Sequence, residues 1–361
     1  MNTIVRRVYL LAALLGAGAL LGCSRTPDSS PSPPVSSEPV AKPASPDPVR
    51  IPVSKGQVKA NGITIAYESF GPEDRETVLL IMGATAQLTA WDVELCEELV
   101  KRGYRVIRFD NRDVGLSTRF DDAGIPDFAA VVAAAEAGKP APLPYTLYDM
   151  ARDAVGLLDA LGIKKAHIAG PSMGGMIGQI IAAEHPDRTL SLTSIMASSG
   201  KPSGKPGLPI AKPEVIAKIP PPAPVGDKQA YIEQRIKVLQ LIGSPRAPID
   251  ETILREWVTR DVERSYYPAG EARHAAASLH AAYEDRRPKL KTIKVPTVVV
   301  HGEDDPIIAV EAGRDVAANI PGAEFRLLPG LGHVFPPALD KDIADAITAA
   351  ASRATGAKPT K

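Results

Sequence analysis

The sequence predicts an α/β protein: a doubly wound, mostly parallel sheet with an inserted, mainly helical cap. Three observations carry that expectation. Short apolar or β-branched runs alternate with helix-length amphipathic segments, the rhythm of strands joined by crossover helices. One run, Ala166-His167-Ile168-Ala169, leads without a linker into Gly170-Pro171-Ser172-Met173-Gly174-Gly175, which reads as a strand, a tight turn carrying a serine, and a helix start. The rhythm then breaks over residues 200–288, a proline-rich entry followed by amphipathic helix, as in Tyr231 to Leu241. An insertion of that size after the serine reads as a lid of apolar walls over a site.

The elements follow in chain order. Residues 1–22 read as a signal peptide: Arg6-Arg7 is the charged region, and Val8 to Leu21 is an apolar stretch too short for a comfortable membrane span. It ends in Leu20-Leu21-Gly22-Cys23, which resembles a bacterial lipobox, with cleavage before a cysteine that is then lipidated. Residues 23–55 follow as a Ser- and Pro-rich tether. Ser24 is not the aspartate associated with inner-membrane retention. The expected location is therefore the outer membrane of a bacterial envelope, with the bilayer as a partner through the anchor. With Cys23 so used, Cys96 is expected to be a buried helical thiol.

The core is assigned to residues 56–199 and 289–361. Lys55 to Phe70 reads as a hairpin turning at Asn61-Gly62, with Ile63, Ile65 and Tyr67 alternating after it. Val78 to Met82 is a buried strand. Thr89-Ala90-Trp91-Asp92 has capping-box spacing and predicts a helix stopping at Gly103. Tyr104 to Phe109 is the next strand, and Phe120 to Pro144 a long loop with a short alanine-rich helix. A helix from Thr146 to Gly162 carries Met150, Ala154, Leu157, Leu158 and Leu161 on one face. After the serine turn come strand, insertion, strand, helix, strand and a final helix with Ile343, Ala346, Ile347 and Ala350 in register.

A Gly-x-Ser-x-Gly run between strand and helix is a nucleophile elbow, with glycines where a Cβ would strike a neighbouring segment. Such a serine takes an acid and then a histidine later in the chain. Six histidines permit elimination. His167 lies inside the strand before the elbow, His185 at a helix end before Pro186, His301 at a strand end, and His274 and His280 in a polar helix-like segment. His333 remains, on the glycine-flanked loop Gly330-Leu331-Gly332-His333, and is the candidate base. The acid should follow Pro296 to Val300, where His301-Gly302-Glu303-Asp304-Asp305-Pro306 closes the strand. Asp305 is preferred because Pro306 stiffens its turn; Asp304 is the alternative, and with Glu303 is expected to cap the turn or face solvent. The backbone N–H groups of Met173, at the start of the elbow helix, and of Ala84, after Val78 to Ile81, are the candidate oxyanion donors.

Composition excludes several classes. Lys plus Arg number 42 and Asp plus Glu 42, so no basic stripe points to nucleic acid. No phosphate-cradling or dinucleotide glycine motif occurs, and no His/Cys spacing suggests a metal; the expected chemistry needs neither metal nor cofactor.

Together, Ile81-Met82-Gly83, Val106 to Ser117, Gly170 to Gly175 and His301 to Pro306 resemble the capped α/β-hydrolases, nearest the esterases similar to aclacinomycin methylesterase. The resemblance covers residues 60–200 and 290–345 and is weak across the cap. It implies Ser172 as nucleophile, Asp305 as acid and His333 as base, in two-step hydrolysis of a small-molecule carboxylic ester. Asp110 and Arg112 are expected to brace the turn after their strand. Met82 departs from the His-Gly found in many relatives, though the glycine and the Ala84 donor are kept. Two rival readings stand. A proline iminopeptidase would need a cap carboxylate, from Glu233, Glu263, Glu271 or Glu284, at the site. A non-catalytic surface binding module would need no triad.

Overall fold

The computed structural model describes residues 51, 53–200 and 213–355; the segment expected to be a signal peptide, Cys23 and most of the expected tether lie outside the described residues. Eight strands form one sheet: β1 (Val53–Ala60), β2 (Ile63–Phe70), β3 (Thr77–Ile81), β4 (Arg105–Phe109), β5 (Ala166–Pro171), β6 (Thr189–Ile195), β7 (Thr297–Gly302) and β8 (Glu324–Leu328). Their spatial order is β1-β2-β4-β3-β5-β6-β7-β8. β1 and β2 pair antiparallel, as do β2 and β4, and every later pairing is parallel. β1 begins at Val53, inside the stretch assigned to the tether. The hairpin turns at Asn61 and Gly62, with φ of 47° and 79°, the left-handed pair that matches strand twist.

The longer helices are α1 (Val93–Lys101), α2 (Phe128–Glu136), α3 (Leu147–Ala160), α4 (Met173–Glu184), α5 (Lys228–Ile242), α6 (Glu251–Arg264), α7 (Pro268–Ala282), α8 (Val310–Asn319) and α9 (Asp340–Thr355). They cover both faces of the sheet, which is why the parallel strands read as continuous apolar runs. Successive side chains on β3 alternate between the two cores. Leu79 and Ile81 pack with Leu157 of α3, Ile177 of α4 and Val316 of α8. Val78 and Leu80 pack with Leu95 and Cys96 of α1 and Ile343 and Ile347 of α9. The Cys96 thiol is fully buried, and burial pushes its pKa up to about 12, so it behaves as a small apolar side chain.

Two local expectations resolve differently. The helix expected from Thr146 does begin there, as α3, with Thr146 N–H donating to Asp149 Oδ2 at 2.7 Å in a capping box that the sequence reading did not name. At Thr89 the expected box does not form. Only a single 3-10 turn (Leu88–Ala90) forms, and α1 starts at Val93 behind Asp92. The Thr89 hydroxyl donates instead to Asp261 Oδ1 at 2.7 Å, a partner far off in sequence that displaces the local cap.

The two interruptions of the strand–helix rhythm pack on one another. α2, from the first, buries Phe128, Val131 and Val132 against Ala275, Ala276 and Leu279 of α7, from the second. α5 and α6 form their own small core of Tyr231, Ile232, Ile236, Leu254, Val258 and Val262. Among the described residues no helix is long and apolar enough to cross a membrane.

Candidate active site

Ser172 sits between β5 and α4 with φ 52° and ψ −119°, a conformation that costs a non-glycine residue about 1–3 kcal/mol. Its N–H donates to Ile195 O at 2.9 Å, which pins the turn to β6. A Cβ on Gly174 would stand 2.0 Å from Ile81 O, so the tight approach of α4 to β3 requires glycine there. The strain lifts the serine clear of the sheet into a cavity of about 200 Å³. Thr85 (φ 67°) and Met196 (φ 40°), two further non-glycine residues in the left-handed region, line the same cavity.

The structure brings Ser172, His333 and Asp305 together. His333 Nδ1 lies 2.8 Å from Asp305 Oδ2, and His333 Nε2 lies 3.1 Å from Ser172 Oγ. A carboxylate can only accept, so Nδ1 carries the proton and Nε2 presents its lone pair to the serine hydroxyl. Asp305 Oδ1 accepts from the N–H groups of Ile307 and Ile308 at 2.8 and 2.9 Å, an Asx-type turn closing over Pro306. Burial alone would raise the Asp305 pKa. The His333 imidazole, together with hydrogen bonds from His301 and His333, outweighs burial and holds it well below the ordinary carboxylate range. The acid therefore stays ionised at neutral pH.

The two loops are laced together. Asp304 N–H donates to Leu331 O at 3.2 Å, and a Cβ on Gly302 would stand 2.0 Å from that same oxygen. Asp304 itself faces away from the histidine: it accepts from Ser244 Oγ at 2.6 Å and from Arg246 at 2.6 and 2.7 Å, while Glu303 also pairs with Arg246. Of these two acids, expected to cap the turn or face solvent, Glu303 is solvent-exposed while pairing with Arg246, whereas Asp304 departs from the expectation: Arg246 and Ser244, from the connection after α5, draw it onto the insertion. His333 is anchored there too, its N–H donating to Ile242 O at 2.7 Å.

Met173 is the first residue of α4, where backbone N–H groups have no intrahelical acceptor. Ala84 lies on the loop after β3, and both Gly83 and Ala84 line the cavity beside Ser172. That loop is held from the far side by groups that the sequence did not single out. Thr85 N–H donates to His274 Nδ1 at 3.2 Å, and Arg235 Nη2 donates to Thr85 Oγ1 at 2.8 Å. The Gln87 side-chain amide donates to the carbonyls of Asp261 and Ser265. His274 was read as part of a polar segment, yet it is fully buried, and burial drops its pKa to about 4. The legible signal was Ala275-Ala276-Ala277 after it, which lets α7 pack closely.

Asp110 and Arg112 brace their turn as expected. Asp110 accepts from Leu88 N–H at 2.8 Å and Leu116 N–H at 2.9 Å, and Arg112 grips Asp153 through two bonds of 2.6 Å. Asp110 does more than brace, because Arg264 of α6 reaches it at 2.7 Å and ties the insertion to the sheet.

The cavity wall is mainly apolar, with Met82, Met196, Leu239, Ile242, Trp257 and Phe335 around the serine. Of the four carboxylates considered for an amine site, Glu271 lines it. Glu233 pairs with Arg255, and Glu284 accepts from Tyr148. Tyr231 Oη stands 2.6 and 2.8 Å from the two Glu271 oxygens. Burial raises Glu271 to about 7 despite the pull of Arg235 and Tyr231. No cluster of His, Cys, Asp and Glu suited to a metal ion occurs among the described residues.

A strand–serine–helix elbow on this sheet, with histidine and carboxylate in reach, matches a known family. Residues 76–336 fit the family model described as alpha/beta hydrolase fold, and the chain belongs to that family. It is 28% identical over 313 residues to a rhodomycin D methylesterase of Streptomyces sp. (strain C5), covering 81% of this chain and 96% of that protein. The rhodomycin D methylesterase of Streptomyces peucetius is likewise 28% identical, over 317 residues and the same shares of each chain. Among solved structures, the enol-lactonase of Burkholderia xenovorans LB400 superposes with a TM-score of 0.58 at 22% identity, over 81% of this chain and all of that one, and shares the fold.

Proposed function

We propose that the chain hydrolyses a small-molecule carboxylic ester, with Ser172 as nucleophile, His333 as general base and Asp305 as the group that fixes the imidazole. The chain is a carboxylic ester hydrolase by family and by its methylesterase relatives. The observation that carries the serine mechanism is the unbroken hydrogen-bonded line from Asp305 through His333 to Ser172. His333 takes the hydroxyl proton as Oγ attacks the carbonyl, and returns it to the departing alcohol. Water activated by the same nitrogen then cleaves the acyl-enzyme. The N–H groups of Met173 and Ala84 stabilise the developing oxyanion, each such donor being worth about 3–4 kcal/mol. The helices of residues 213–290 act as the cap that walls the acyl or alcohol portion, and the reaction calls on no cofactor.

The experiment is Ser172→Ala measured on p-nitrophenyl esters of graded chain length, with proline p-nitroanilide as the aminopeptidase control. Ester turnover is expected in the wild type and its loss in the variant. A serine-directed phosphonate should label Ser172 alone. Full activity in the variant, or label on another serine, would refute the assignment. Cleavage of the anilide in place of the esters would favour the iminopeptidase reading.

A further inference from the structure

We propose that Glu271, organised by Tyr231 and Arg235, is the recognition point for a neutral hydroxyl that the substrate ester carries at a distance from its scissile bond. The inference rests on the serine-esterase reading of the same cavity and names the substrate class that cavity is built for. Glu271 and Tyr231 line the cavity that holds Ser172 and His333, but they enter from α7 and α5 of the insertion. Both are buried. Placing a carboxyl group in an otherwise apolar wall is costly unless it is paired, and a patch of Leu or Met would close the wall more cheaply. The Tyr231 hydroxyl supplies one proton, shared between the two oxygens at 2.6 and 2.8 Å. A carboxylate offers about four acceptor positions, so acceptor capacity remains.

Charge decides which donor fits. Arg235 acts on Glu271 and also donates to Thr85 Oγ1, and Arg260 lines the same cavity, so a substrate ammonium would meet two guanidinium groups there. A substrate carboxylate brings no proton to donate to the Glu271 oxygens. A hydroxyl can donate to the carboxylate without bringing a charge. Arg235 links this point to Thr85, next to Ala84, so the group that reads the distant hydroxyl also steadies the loop of the oxyanion donor.

The test compares straight-chain methyl esters of graded length, each unsubstituted or ending in a hydroxyl or an ammonium, followed by proton release. In the wild type, one length of hydroxy ester is expected to exceed its unsubstituted partner by about tenfold in kcat/KM, mainly through KM. In a Tyr231→Phe/Glu271→Met double variant, which replaces the polar pair by apolar groups of similar volume, that ratio should fall to about one. A wild-type ratio near one at every length, a preference for the ammonium ester, or a preference that survives in the double variant overturns the proposal. If the double variant fails to fold, the wild-type series decides alone. Absence of turnover for every ester would instead refute the esterase reading beneath it.

Discussion

The Thr85 backbone N–H and the His274 imidazole meet at 3.2 Å across the boundary between sheet and insertion, so the loop beside the elbow takes its position from a helix nearly two hundred residues later. His274 Nδ1 accepts there, which requires Nε2 to carry the proton it gives to Arg112 O. The ring must therefore be neutral.

That neutrality has a pH signature. His274 has its folded pKa lowered from 6.5 to about 4 by burial, so between those values the unfolded chain binds the proton and the folded chain does not. Stability from this residue is complete above about pH 6.5, falls as pH drops, and levels off below about 4, a change on the order of 3 kcal/mol. Denaturant titrations of wild type and His274→Gln across that window should differ in slope. Parallel curves would show that the imidazole is not held neutral.

Asp340 tilts the opposite way. It opens α9 close to Asp92 and Glu94, and burial together with those carboxylates raises its pKa from 3.8 to about 7. The folded state then binds the extra proton, so stability from this group falls as pH rises from about 4 to 7. Asp340→Asn should raise Tm at pH 8 and leave it nearly unchanged at pH 4. A lower Tm at pH 8 would mean that the favourable interaction of a carboxylate with the helix N-terminus outweighs the repulsion.

Asp305 and Asp304 are neighbours with different partners, and their variants should separate. Asp305→Asn loses the acceptor that fixes the His333 tautomer, and a fall in kcat on the order of 10⁴ is expected by analogy with other triads. Asp304→Asn weakens the contacts with Arg246 and Ser244 and should cost far less in kcat, showing instead as a lower Tm. Steady-state kinetics on one ester checks both, and a reversed order would move the acid role to Asp304.

How far these arrangements were legible depends on how local their causes are. The hairpin at Asn61-Gly62, the helix start at Thr146 and the elbow at Ser172 are set by residues adjacent in the chain, and the sequence shows them. His333 and Asp305 were reachable because strand ends and glycine-flanked loops leave few positions for such groups. Thr89 misled because its partner, Asp261, lies far off in sequence on α6. Arg235 and His274 were opaque for the same reason, and Glu271 was one of four cap carboxylates the sequence left unseparated: nothing in their neighbours says that α5 and α7 fold over the serine and bury these groups.

The N-terminal expectation has its own test, because Cys23 lies outside the described residues. We propose that Cys23 is lipidated after cleavage at Gly22, and that residues 24–50 tether the domain to a bacterial envelope, the outer membrane being favoured by Ser24. One acyl chain gives only marginal binding, whereas several on one cysteine should anchor firmly. Cys23→Ser should move the protein from the membrane fraction to the soluble one. Its kcat on a water-soluble ester should stay unchanged, since β1 begins only at Val53 and the anchor does not shape the cavity. Mass spectrometry of the mature N-terminus decides the chemistry. An unmodified chain starting at another residue would refute lipidation and point to a periplasmic or secreted hydrolase.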